Sequence, residues 1–242
     1  MRSCFILAAF FLAASIGHGQ EKQGSHRDRG LDEGVYLRVG AATGPDFEDF
    51  FNYVNETYGE AFLNTSDRID KFGSAAVVSA GYMYRFHPYF ALDVGFSIYQ
   101  LKSRGEIRNL NPARQETSLQ HDLEYQVGVF SFTVPVLLEF SRRQPVVPFV
   151  GVGVSIFAMR LDDYRDDGLF QDIYRDTDTA VGGHFEAGAY IKPFRSIWFD
   201  LRGRWHKGSG HLRAVEPGRF LSEFKIDQDF SIISAGVVYF FR

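Results

Sequence analysis

The chain has 242 residues, 45% hydrophobic and 16% aromatic, with 26 Lys and Arg against 30 Asp and Glu for a net charge of −4. That composition supports a single domain with a substantial core, and the slight acidic excess argues against a nucleic-acid partner, whose phosphates call for a basic surface. One cysteine, Cys4, excludes a disulfide framework and a cysteine-based metal site, and no cofactor is implied.

The N-terminus carries an export signal. Arg2 supplies a positive charge, Phe5 to Ile16 is a short apolar run, and Gly17-His18-Gly19 places small residues before Gln20. The run is shorter than the roughly 20 apolar residues of a helical span, so residues 1–19 read as a cleaved signal peptide rather than a membrane anchor, with cleavage near Gly19/Gln20. Cys4 precedes the apolar run and leaves with it. Residues 20–33 are polar and charged and read as a flexible periplasmic leader, and 34–242 as the folded domain.

Eight strand-like segments follow, with connections alternating between short and long. The first, Gly34 to Ala42, sets Val35, Leu37, Val39 and Ala41 against Tyr36, Arg38 and Gly40. After a connection to Phe72, the second runs from Ser74 to Phe86 and ends at the turn signal His87-Pro88. The third, Phe90 to Lys102, alternates Phe90, Leu92, Val94, Phe96 and Ile98 with Ala91, Asp93, Gly95, Ser97 and Tyr99. A polar loop from Ser103 to Leu123 leads to the fourth, Tyr125 to Phe140. The turn Ser141 to Pro145 leads to the fifth, Pro148 to Leu161. The acidic loop Asp162 to Thr177 precedes the sixth, Thr179 to Pro193. Only Phe194-Arg195-Ser196 separates it from the seventh, Ile197 to Lys207, and a loop from Gly208 to Lys225 precedes the eighth, Ile226 to Phe241.

Which face meets which solvent decides the class. In the seventh segment Ile197, Phe199, Leu201 and Trp205 alternate with Asp200, Arg202, Arg204 and His206. Arg38, Arg85, Asp93, Glu139, His184, Glu186 and Lys192 extend the charged face with both signs, and paired groups of this kind are tolerable inside a narrow tube where single ones are not. The rivals are a sheet with one solvated face, or a soluble secreted barrel of the lipocalin or avidin type, which predicts an apolar interior and mostly short hairpins. Long connections at every second position favour an all-β fold: an eight-stranded antiparallel up-and-down transmembrane β-barrel with short periplasmic turns and long extracellular loops.

The run Phe132-Thr133-Val134-Pro135-Val136-Leu137-Leu138-Glu139-Phe140, a turn, then Pro148-Phe149-Val150-Gly151-Val152-Gly153-Val154 resembles a central hairpin of the small bacterial outer-membrane β-barrel proteins of the OmpA, OmpX and OmpW type, often labelled porin family. Ser234 to Phe241 resembles their C-terminal strand, with Arg242 in place of a final aromatic. The resemblance implies a Gram-negative outer-membrane location, with outer-membrane lipid, lipopolysaccharide and the assembly machinery as partners. It also implies a non-enzymatic structural, adhesive or surface-interaction role. Eight strands leave room only for their own side chains, so the lumen is expected to be filled rather than open and the function to lie in the loops.

Three loop features remain. Phe47, Phe50, Phe51, Val54 and Tyr58 recur at helical spacing, predicting a short helix above the barrel mouth that either covers its own small core or presents a binding surface. Asn55-Glu56-Thr57 and Asn64-Thr65-Ser66 match glycosylation sequons by chance in a bacterial protein. The third long connection carries Asp162, Asp163, Asp166, Asp167, Asp172, Asp176 and Asp178; Asp163, Asp167 and Gly168 touch the calcium-loop template without its twelfth-position glutamate, which is Tyr174 here, so a solvated acidic loop and no metal is expected. Finally, Arg204 to His211 with Glu216-Pro217-Gly218 is similar to the outer-membrane lipid A deacylases. That likeness implies His206 as base, Ser209 as nucleophile and Glu216 or Glu223 as orienting acid. A His and Ser three residues apart point to opposite faces of a strand, so this alternative requires a bend at Gly208.

Overall fold

The computed structural model describes residues 32–241 apart from 46, 116, 142–143, 167, 169–170 and 216–220. The expected signal peptide, residues 1–19, and most of the expected leader, residues 20–33, lie outside these residues. The elements are β1 (Asp32–Ala42), α1 (Glu48–Ala61), β2 (Ala75–His87), β3 (Phe90–Arg108), β4 (Ser118–Leu137), β5 (Val146–Asp166), β6 (Gln171–Ile191), β7 (Ile197–Val215), β8 (Leu221–Asp227) and β9 (Phe230–Phe241). Neighbouring strands pair antiparallel from β6 through β1 to β9 and β7, and β6 also pairs with β7, so the sheet closes on itself.

Nine strand elements make eight staves. β7 faces β8 at Ser209↔Asp227 and β9 at His206↔Phe230, so the register runs unbroken through Gln228 and Asp229. Gln228 explains the interruption. Its backbone N–H still donates to Gly208 O at 2.8 Å, while its buried side chain reaches across the interior to Tyr125 Oη at 2.9 Å.

Alternation holds along every stave, but its polarity changes with height. In the half nearer the short turns, large apolar residues point outward and are exposed: Leu37 and Val39 on β1, Phe132 and Val134 on β4, Val152 and Val154 on β5, Phe199, Leu201 and Trp205 on β7. The inward residues at this height include Arg38, Asp93, Glu186 and Arg202, all buried. Apolar outside and charged inside is the arrangement lipid selects. Farther up, Leu101, Ile107, Leu119, Leu123, Leu161 and Leu212 point inward and are buried, while the outward positions carry Lys102, Arg104, Glu124, Asp122, Arg160 and Arg175.

This reversal corrects the expected boundaries. The stretches Ser103–Leu123, Asp162–Thr177 and Gly208–Lys225 are largely paired strand rather than loop, because β3 to β7 run 19–21 residues against the ~9–11 that cross a bilayer. Water above the membrane replaces lipid on the outer face, so the hydrophobic alternation that marks a membrane strand inverts while the hydrogen-bond ladder continues.

The first connection is the exception. Its helix α1 starts with Glu48 and Asp49, which suit the positive end of the helix dipole. Phe50, Phe51 and Val54 are buried among inward residues of the barrel wall: Phe47 meets Tyr125 at 4.8 Å and Phe50 meets Phe224 at 5.2 Å between ring centroids. The expected loop surface of Phe47, Phe50, Phe51, Val54 and Tyr58 is therefore a correction. The first four are buried and Tyr58 is partly so, because the helix fills the extracellular half of the interior instead of standing above it. Both sequon asparagines serve this docking: Asn55 exchanges two hydrogen bonds with the backbone of Ile69, and Asn64 donates to Arg108 O at 2.9 Å.

Phe51 is 1% exposed, so Phe51→Ala is expected to weaken the docking of α1 by about 3–5 kcal/mol. Limited proteolysis of the folded barrel then shows rapid cleavage between residues 43 and 74 while the wall stays intact and retains its heat-modifiable gel mobility.

Candidate functional site in the lumen

The interior is filled in layers. Nearest the short turns, Tyr36, Met83, Phe149, Tyr190, Trp198 and Phe240 belong to one apolar cluster. Beside it, Glu139 accepts from Arg85 and Lys192, each at 2.5 Å, and Arg85 also donates to Pro88 O.

Above this lies the central charge cluster. Arg38 donates to Asp200 at 2.6 Å and to Asp93 at 3.0 Å. Arg202 donates to Asp93 at 3.0 Å, Glu186 at 2.9 Å and Asp200 at 2.8 Å, and Arg204 to Glu186 at 2.7 Å. Three guanidinium groups thus meet three carboxylates, and the set is neutral. Hydroxyls complete it: Tyr36 Oη donates to Asp93 at 2.6 Å, and Tyr190 Oη and Ser131 Oγ accept from Arg202 and Arg204.

Register explains the meeting. Glu186 and Arg204 are directly opposed on β6 and β7. Arg38 and Asp200 stand on β1 and β7 with Gly236 of β9 opposite both, and a Cβ there would lie 2.6 Å from Arg38 Cγ. Likewise a Cβ at Gly81 or Gly95 would lie about 2 Å from the Tyr36 hydroxyl, so both glycines leave the channel through which Tyr36 reaches Asp93.

His184 stands apart from this cluster. Its Nε2 is 2.8 Å from Thr133 Oγ1 and its Nδ1 2.8 Å from Ser155 Oγ, which also lies 3.2 Å from His206 Nδ1. His206 stacks on Phe230 at 4.6 Å. Higher still, under α1, Asp163 bonds His121 and Arg165, and Arg165 donates to Tyr58 Oη at 3.1 Å. Burial alone would push the Asp163 carboxyl up, but His121 and Arg165 outweigh it and hold the group below the ordinary carboxylate range. On the loop itself Asp67 is held low by its hydrogen bonds from Arg108 and Asn64.

The residues expected to share one luminal network therefore divide in three: Arg38, Asp93, Glu186, Asp200, Arg202 and Arg204 together; Arg85, Glu139 and Lys192 at the periplasmic end; His184 in a hydroxyl–imidazole group. Tyr36 and Ser131 join the first group and Ser155 the third, while His121 pairs with Asp163 in a separate group under α1. Tyr36 shares the inward parity of Arg38, a usable signal. His121 and Asp163 fall within stretches whose polar composition predicts loop, where strand parity gives no signal.

The deacylase-like set is not assembled. His206 is buried on the inner face, while Ser209, on an uninterrupted β7, is exposed on the outer face opposite Asp227. Glu216 lies outside the described residues. The acidic loop also dissolves into strands. Asp162 faces outward between Arg160 and Arg175, Asp163 faces inward, and Asp166 accepts from the backbone N–H of Gly168. Asp167 lies outside the described residues. Among those described, no group of three or more His, Cys, Asp or Glu is placed to hold a metal ion.

A filled ring of eight staves with a lipid-selected outer belt matches one family of known proteins, whose model, the outer membrane protein beta-barrel domain, covers residues 6–241. The chain belongs to this outer-membrane β-barrel family. Among solved structures, the outer membrane protein OprG from Pseudomonas aeruginosa aligns with a TM-score of 0.55 at 11% identity, over 88% of this chain and 97% of its own, and it supports the fold. Neisserial surface protein A aligns at 0.45 with 13% identity, over 86% of this chain and 96% of its own. The outer membrane protein AlkL, solved in lipid bilayers, aligns at 0.44 with 16% identity over 92% of this chain and 97% of that one. No curated protein sequence matches the chain. Family membership places this barrel in the Gram-negative outer membrane, and the inverted polarity of its belt replaces the lipocalin-like alternative.

Two outcomes follow from the lumen. Asp93→Asn leaves three buried guanidinium groups with two carboxylates, and breaking such a set costs about 3–5 kcal/mol, seen as a lower urea midpoint for the barrel folded in phospholipid vesicles. The depressed Asp163 and Asp67 groups stabilise the docked loop above the ordinary carboxylate value, and that stability is lost as pH falls through their folded values. Loop cleavage by pepsin, normalised to boiled chain, should rise below ~pH 4, with a flatter profile in Asp163→Asn.

Proposed function

We propose that this protein is a non-catalytic outer-membrane barrel with a closed lumen, acting through the surface it raises outside the cell. The observation that carries the reading is the continuous filling of the interior: an apolar floor, a neutral charge layer and a docked helix in sequence along the axis. A gap beside Arg38, Ser79 and Arg204 holds only about 10 Å³. Substrate flow through such an interior requires the helix and the ion-pair layer to move together.

The hairpin extensions supply the outside surface. On their outer face Lys102 pairs with Glu124, Arg104 with Asp122, and Asp162 with Arg160 and Arg175. A rigid, charge-alternating wall of paired strands suits contact with lipopolysaccharide sugars or with an extracellular partner better than a set of loose loops does. Export and folding through the outer-membrane assembly machinery belong to the same reading. A hydrolase of lipid A requires a serine beside His206 that substrate can reach; Ser209 faces away, and Ser155 is fully buried.

Planar-bilayer recordings with the purified full chain test the closed lumen: no steady conductance is expected. Stable single-channel steps in the wild type overturn it, and release of acyl chains from lipid A by wild type but not by His206→Ala overturns the non-catalytic reading.

A further inference from the structure

A concavity lies outside the lumen, on the lipid-facing wall. It is a groove of about 520 Å³ where β6, β7 and β9 meet the end of β1. Its floor is Gly183, at which a Cβ would find only Gly153 O, 3.8 Å away. One side is the Phe185–Trp205 pair, stacked with centroids 5.7 Å apart and each ring about half exposed. The other side carries Lys207 and Asp229, with Ser231 beside them.

Height gives the groove its meaning. Along the outer face of β7 the order is Ile197, Phe199, Leu201, Gly203, Trp205, then Lys207, Ser209 and His211, so Trp205 closes the apolar belt and Lys207 opens the polar zone. The long hairpins lie beyond it, which puts the groove at the extracellular edge of the membrane. An aromatic at the boundary with a cation one step above it is the pairing that a lipid with an anionic headgroup meets. Lys207 is 87% exposed and 3.9 Å from Asp229, a contact too long and too wet to satisfy its ammonium. Elsewhere on the outer belt branched side chains such as Val152, Val154 and Ile156 cover the wall; at Gly183 the backbone is bare.

We propose that this groove is a binding site for the phosphorylated glycolipid of the outer leaflet, lipid A: one phosphate on Lys207, with an acyl chain lying over Gly183 against Phe185 and Trp205. The site is part of the wall and stands whether or not the lumen is closed.

Native mass spectrometry of the folded full chain, titrated in detergent with lipid A, tests it. Lys207→Gln should lower the bound fraction about fivefold. Gly183→Leu, which fills the groove without changing charge, should lower it comparably, and Lys102→Gln, removing a lysine of the upper wall, should leave it at the wild-type level. Heat-modifiable gel mobility establishes that each variant is folded; should Gly183→Leu fail to fold, Gly183→Ser takes its place. Equal loss in Lys207→Gln and Lys102→Gln means general attraction to positive charge and overturns the site. Retained binding in Lys207→Gln, or in the groove-filling variant, overturns it as well.

Discussion

A strand in hydrocarbon has nowhere to place its N–H and C=O groups except on another strand, so the ladder has to close. Here β1 closes on β9 and β6 on β7, and the remainder of the molecule depends on that closure. It sets the bore, since eight staves enclose little more than their own side chains. It also separates two solvents. Within the belt the outward face answers to lipid and the inward face to neighbours across the lumen. Above the belt the same strands meet water, and the assignment reverses.

The charge layer is what the bore permits. Single ionised groups at this depth are costly, but Arg38, Arg202 and Arg204 against Asp93, Glu186 and Asp200 form a neutral set in which each carboxylate meets two donors or more. The arrangement also discriminates against misregister. A one-residue slip of β7 would turn Asp200, Arg202 and Arg204 toward lipid and bring Leu201 and Trp205 inside, so the apolar belt and the ion pairs specify the same pairing. Glycines opposite the longest side chains complete the fit, trading wall side chains for reach across the interior.

The upper interior is solved differently. Once the outer face is in water, charge no longer needs to be hidden inside, and an apolar core becomes the stable filling. Wall residues meet in part, as Gln228 with Tyr125 and Phe157 with Phe230, and α1 fills the rest through Phe47, Phe50, Phe51 and Val54. Polar ties then fix its position: Asn55 on Ile69, Asn64 on Arg108, Tyr58 on Arg165. The molecule therefore has an ionic layer at membrane depth and a hydrophobic plug above it, each matched to the opposite face of the wall.

The alternation of residue type by itself determined the class of fold, the number of staves and the inward charges, because period two is a local property and lipid imposes it strictly between the short turns. It also placed a helix in the first connection. What it left open has one physical cause: contacts across the lumen join residues far apart in the chain. Parity puts Arg38, Glu139 and His184 on the inner face, but only register and strand tilt assign them to three separate groups. Periodicity marks α1 as amphipathic without saying whether its apolar side meets its own loop or the barrel interior. Parity separates His206 from Ser209 on a straight strand, and the unbroken pairing of β7 through Gly208 to β8 is what keeps that strand straight. The groove beside Trp205 is invisible in sequence, since Gly183, Lys207 and Asp229 come together only where three staves lie side by side.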